Sequence, residues 1–208
     1  MIDHITTSGV FSIDGQNFEV ENNVWVVGDE SEVLVIDAPH SALAIKSVVA
    51  DRRLVAIVAT HGHNDHINAA VTLRDSVGAP VLLHPADLSL WSELYGDDGA
   101  KPDRQLVEGD VVTAGGVSLE VIHTPGHTPG GCSLYDRAGG VLFSGDTLFR
   151  GGPGATGRKW SDFPTIIDSI TTKLLVLPPE TRVLTGHGGE TRIGEESPHL
   201  EEWLSRGH

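Results

Sequence analysis

The run Thr60-His61-Gly62-His63-Asn64-Asp65-His66 packs three imidazoles and a carboxylate into six residues. Neutral ring nitrogens and anionic oxygens are the donors that a borderline divalent ion such as zinc selects. No packing requirement asks for that composition, so the run reads as part of a metal centre. Three later residues extend it. His127 lies in Thr124-Pro125-Gly126-His127-Thr128-Pro129-Gly130, Asp146 closes Ser144-Gly145-Asp146, and His187 sits in Gly186-His187-Gly188-Gly189. Each follows an apolar, strand-like stretch, and loops at equivalent ends of strands in one sheet system can converge in space.

The elements that must position these loops follow from the pattern between them. Val24–Val27 and Val33–Ile36 flank Gly28-Asp29-Glu30-Ser31-Glu32, the composition of a β-hairpin. Leu43, Ile45, Val48 and Val49 give a short helix over 42–50. Leu54–Ala59 is a buried strand that delivers the His61 loop at its carboxyl end. Ile67, Ala70, Val71 and Arg74 then follow helical spacing until Gly78 and Pro80, with Asn64 or Asp65 as its cap. Val81–Leu83 is a strand and Ala86–Tyr95 a helix. A second hairpin flanks Gly115-Gly116, and strands follow at 132–135 and 141–143. Residues 149–160, with Gly151, Gly152, Gly154 and Gly157, form a loop at the rim of the site. Phe163-Pro164 opens a helix with Ile166, Ile167, Ile170 and Leu174 on one face, Pro164 in its first position. Thr181–Leu184 is the last strand, and Ser197-Pro198 caps a terminal helix reaching Leu204.

Composition bounds the rest. The 208 residues, 39% hydrophobic with mean hydropathy near zero, suit a single domain spanning 1–208. A formal charge of −15 disfavours any partner held through a phosphate backbone, so no nucleic acid is expected. The start, Met1-Ile2-Asp3-His4-Ile5-Thr6, has neither a basic nor an apolar leader, and the longest apolar run, Leu54 to Ala59, is far too short to span a bilayer. A membrane is therefore not an expected partner either. The single cysteine, Cys132, cannot form an internal disulfide, and a cytoplasmic location is the expectation.

Taken together, His61-x-His63-x-Asp65-His66, Thr124–Gly130 around His127, Ser144-Gly145-Asp146-Thr147-Leu148-Phe149 and Gly186-His187-Gly188 resemble the successive signatures of the metallo-β-lactamase superfamily, and within it the glyoxalase II-like branch. Val35-Ile36-Asp37 resembles the family's early strand-end aspartate, a supporting residue beside the site. The resemblance implies an α/β fold, a four-layer αββα sandwich, with two divalent metal ions at one sheet edge. Zinc is the expected metal, with iron or manganese as alternatives. It also implies that His61, His63 and His127 hold one ion, that Asp65, His66 and His187 hold the other, and that Asp146 bridges them. Asp65 is assigned a catalytic role as well.

The implied reaction is hydrolysis by a metal-bridging hydroxide, most readily of a hydroxyacyl thioester, because a thiol with a pKa near 8.5 departs without a dedicated acid. A small-molecule thioester is thus the expected partner. The oligomeric state is left open. The alternative is a persulfide dioxygenase with a single iron on His61, His127 and Asp146. A lactonase, a β-lactamase and a non-catalytic scaffold rank below it. The chain stops soon after His187, where glyoxalase II proper carries a further domain that grips glutathione. Candidate substrate contacts are Arg150, Arg158 and Lys159 beside the glycine-rich loop. Trp91, Tyr95 and Trp160 are read as core or rim, His84 and His123 as structural, and Cys132 as a small buried hydrophobe.

Overall fold

The computed structural model describes residues 1–207. Strands β1 (Ile2–Ile13) and β2 (Gln16–Gly28) form a long antiparallel hairpin, and β3 (Glu32–Ile36) pairs with the second half of β2. Helix α1 (Ala42–Val49), β4 (Arg53–Val58), the single turn α2 (Asn64–Ile67), α3 (Ala70–Val77), β5 (Val81–Leu83), α4 (Leu88–Tyr95) and β6 (Arg104–Gln105) complete the first half. Its strands lie in sequence order in one sheet, parallel from β3 onward.

The second half begins with β7 (Val111–Ala114), β8 (Val117–His123), β9 (Cys132–Asp136) and β10 (Val141–Gly145). A ribbon of β11 (Leu148–Phe149) and β12 (Gly152–Pro153) leads to α5 (Phe163–Ser169), which continues through a π-helical turn at Ile170–Leu174. β13 (Arg182–Thr185), β14 (Thr191–Arg192), α6 (Ile193–Glu196) and α7 (Leu200–Arg206) close the chain. The second sheet has the order β14-β13-β10-β9-β8-β7.

Side-chain alternation explains why the central strands are apolar throughout. In β3, Val33 and Val35 join the core against α1, α3 and α4, whereas Leu34 and Ile36 join the core between the two sheets. Both faces are covered, so neither position can be polar. Beyond the second sheet, Tyr135, Leu142 and Val183 pack on Ile166, Ile170, Leu174 and Trp203 from the C-terminal helices. The layers therefore run helix, sheet, sheet, helix, as the expected sandwich requires. Among the described residues no helix is long and apolar enough to cross a membrane.

Several local expectations need correction. Asn64 and Asp65 do not cap α3. They lie inside α2, where Asn64 ties the chain to the first hairpin by accepting from Ser12 N and donating to Val10 O, both at 2.8 Å. Asp162 caps α5 through the Thr165 amide, which moves Pro164 to the second helical position, where an N–H would also be unpaired. Ser197 ends α6 instead of capping α7. The glycine-rich segment is not wholly loop, since it contains the β11–β12 ribbon.

Candidate metal centre

The seven candidate donors converge at the edge where β4, β10 and β13 end. β3 leaves Asp37 in a left-handed conformation, φ 59°, and its carboxylate accepts from Thr60 N at 2.7 Å and from Thr60 Oγ1 at 2.8 Å. That grip fixes the start of the histidine loop. Within the second sheet, where β10 and β13 are neighbours, Gly186 N donates to Gly145 O at 2.9 Å and so holds the His187 loop against Asp146. A side chain at Gly186 would begin 2.1 Å from Asp146 Oδ1, so only glycine fits beside that carboxylate.

Hydrogen bonds on the outer edge of four rings set their tautomers. Thr60 Oγ1 gives its own proton to Asp37 and accepts from His61 Nδ1 at 3.1 Å. His66 Nδ1 donates to Asp37 Oδ2 at 2.8 Å, His127 Nδ1 to Ala155 O at 2.9 Å, and His187 Nδ1 to Glu21 O at 2.8 Å. Each ring therefore turns Nε2 inward. His63 faces inward through Nδ1, which lies 3.0 Å from both His61 Nε2 and His127 Nε2. Outer partners of this kind orient ligating histidines and raise their basicity.

Three groupings result: His61, His63 and His127; Asp65, His66 and His187; and His61, His66 and Asp146. Asp146 faces both main clusters, with Oδ2 3.6 Å from His127 Nε2 and 3.4 Å from His187 Nε2, and Oδ1 3.5 Å from His66 Nε2. Buried atoms His63 Nε2, Asp65 Oδ1 and Asp146 Oδ1 have no hydrogen-bond partner. Inward lone pairs about 3 Å apart and orphaned carboxylate oxygens are the arrangement that divalent cations relieve. The residues present thus fit the expected pair of ions.

The electrostatics divide the clusters. Burial holds His63 down at about 3 and His61 well below its ordinary value, so both are neutral donors. In the second cluster burial acts in the same direction on the rings but is outweighed. The Asp146 charge raises His66 well above normal, and with hydrogen bonds to Asp146 and Asp65 it raises His187 to about 10. Burial raises the Asp65 carboxyl, but His66 and hydrogen bonds from His187 and Asn22 overcome that and hold it at about 2.

The predicted substrate contacts diverge. Lys159 lines a cleft of about 510 Å³ beside His63, paired with Glu93 at 2.6 Å and set over the Trp160 ring. Arg158 lies over Phe18 and donates to Gln16 Oε1 at 3.2 Å, at the outer edge of the first hairpin. Arg150 donates to Glu190 O at 2.6 Å and does not line the cleft. Trp160 and Leu94 form part of the cleft wall, whereas Trp91 is fully buried. His84 and His123 stack on each other, ring centroids 4.0 Å apart.

Sequence reading named Asp37 as a supporting residue, and it accepts from His66, but it missed the rest of the polar support of the second cluster. Fully buried Asn22 donates through Nδ2 to Asp65 Oδ2 at 3.0 Å and accepts from His40 Nε2 at 2.9 Å. Asn68 accepts from His40 N and donates to His40 Nδ1, which fixes the ring and through it the amide of Asn22. The only sequence signal was Glu21-Asn22-Asn23, a polar break at the start of an apolar run.

A family model described as the metallo-beta-lactamase superfamily matches residues 18–187, which spans all seven donors. The chain belongs to this superfamily. Among curated relatives of this superfamily member, a "Probable metallo-hydrolase YqgX" of Bacillus subtilis is 37% identical over 186 residues, 84% of this chain and 88% of the relative. A "Hydroxyacylglutathione hydrolase GloC" of Haemophilus influenzae is 35% identical, covering 83% and 87%. Three solved structures share the superfamily fold. The BLEG-1 B3 metallo-beta-lactamase is 33% identical with a TM-score of 0.76, covering 93% of this chain and 98% of that one. TTHA1623 in a di-iron-bound form is 33% identical with a TM-score of 0.77, covering 86% and 93%. ETHE1 from Myxococcus xanthus is 27% identical with a TM-score of 0.75, covering 98% and 89%.

Proposed function

We propose that this chain is a dinuclear metal-dependent hydrolase of small-molecule thioesters, with zinc as the first metal to test. The observation that carries the reading is the pair of donor clusters facing one carboxylate, Asp146. Two divalent ions, when bound, supply Lewis acidity that polarises a carbonyl and acidifies a water. The protein's own groups supply the rest. His61 and His63, kept neutral by burial, offer lone pairs without first losing a proton. Asp65, ionised and held by Asn22, stays oriented toward His66 and His187.

No side-chain nucleophile competes for the role. Cys132 is buried and burial pushes its thiol up, so it stays protonated and shielded. The cleft beside His63 offers Leu90, Leu94 and Trp160 to the apolar part of a substrate, and Lys159 with Glu93 to a polar end. A thiolate leaving group needs no general acid, which matches a site whose histidines all face one another. The relative named hydroxyacylglutathione hydrolase lends further support to thioesters as the bond class.

Metal analysis of protein purified without added metal, followed by a thioester screen, tests the reading. Two ions per chain, lost in His61→Ala, with thioester cleavage, are the expected outcome. One iron per chain with consumption of oxygen by a persulfide would replace it with the dioxygenase.

A further inference from the structure

Asp87 is a fully buried carboxylate that lies outside the seven donors and yet touches two short segments, 61–63 and 127–130, that carry three of them. It ends a single 3-10 turn at Pro85–Asp87, just before α4. Oδ2 accepts from Gly62 N at 2.8 Å and from Thr128 Oγ1 at 2.7 Å, and Oδ1 accepts from Gly130 N at 2.6 Å. Gly62 stands between His61 and His63, and Thr128 follows His127. Two of the three donors therefore sit next to the ligands of the first cluster, the third lies three residues past His127, and together they come from both halves of the molecule.

The packing around this carboxylate is equally specific. A side chain at Gly130 would begin 2.7 Å from Asp87 Cγ, and one at Gly62 would begin 3.0 Å from Asp87 Cβ. Two glycines thus let two loops close on one carboxylate. No comparable contact runs from Asp87 to the second cluster, whose support comes from Asp37, Asn22 and the Glu21 carbonyl. An anion buried this deeply is tolerated because three donors face it.

We infer that Asp87 is the positioning residue of the first cluster: it pins the His61–His63 loop to the His127 loop, and so sets the affinity of that site without touching the metal or the second site. The inference rests on the metal-centre reading above. A protein that binds metal but cleaves no thioester would sink the proposed reaction and leave this inference intact.

The test is a zinc titration in two backgrounds. In His187→Ala only the first cluster keeps its full set, and in His127→Ala only the second does. Adding Asp87→Asn keeps the shape but turns an N–H toward one of the facing donors. Affinity is expected to fall by about 10- to 100-fold in the His187→Ala background, the usual loss when an outer partner of a metal ligand is removed, and to stay unchanged in the His127→Ala background. Equal losses in both backgrounds, or no loss in either, would overturn the inference. Thr128→Val removes one donor and leaves the carboxylate in place. Should Asp87→Asn fail to fold, a smaller loss confined to the first cluster in Thr128→Val sustains the inference, and an unchanged titration overturns it.

Discussion

As candidate metal ligands, His66 and His187 carry protons that a cation would have to displace, so metal uptake there should depend on pH in a definite direction. Burial alone would lower His187, but the Asp146 charge and hydrogen bonds to Asp146 and Asp65 raise it from 6.5 to about 10. Its ion pairs therefore stabilise the cation-free fold fully below 6.5, and that contribution disappears as pH rises through about 10. Asp65, depressed from 3.8 to about 2, contributes above 3.8 and loses its contribution as pH falls through about 2. Cation binding releases the histidine protons, so zinc affinity should rise with pH, about tenfold per unit for each proton displaced. Competition with a chelating indicator at about pH 6 and about pH 8 measures this, and a flat affinity would count against the second cluster as a metal site. The candidate ligands were legible in the sequence because a cation dictates donor type and short spacing. Asp87 and Asn22 were not, because their roles exist only through partners distant in the chain.

At the level of elements, apolar runs such as Val33–Ile36 and Leu54–Ala59 announced their strands because both faces are covered by core. The β1–β2 hairpin gave no such sign. Most of β1 is exposed or half-buried, with Thr and Gly diluting its alternation, so its pairing with β2 is a tertiary outcome. Its tip nevertheless forms one wall of the cleft beside His63. Shortening residues 13–16 to a two-residue turn should leave metal content unchanged and raise KM by about tenfold, ~1.4 kcal/mol of binding, with kcat held. Steady-state kinetics on the variant would show a fall in kcat instead if the tip acts on the chemistry. At the other end of the chain α7 is anchored by Trp203, which is 1% exposed and packs beside Gly152 of β12. Trp203→Ala should cost about 3–5 kcal/mol in urea unfolding. A cost below about 1 kcal/mol would mean that α7 adds little to the core.

On the scale of the whole molecule, the two halves meet along an apolar interior and a polar seam at the site. Trp25 Nε1 and Asn23 Nδ2 of the first sheet donate to Thr185 O at 3.1 and 3.0 Å, and Cys132 N of the second donates to Thr60 O at 2.8 Å. Each half supplies candidate donors to the first cluster, so a cation bound there would tie the halves together. Cys132 lies on that seam, 1% exposed and the only cysteine in the chain. The chain therefore carries its own stopwatch: a thiol reagent can reach that sulfur only when the seam parts, so the labelling rate counts openings. Zinc at a hundred times its dissociation constant should slow the count by about a hundredfold, because the parted form has lost the site. A labelling rate indifferent to zinc would mean that β9 frays by itself while the halves stay joined.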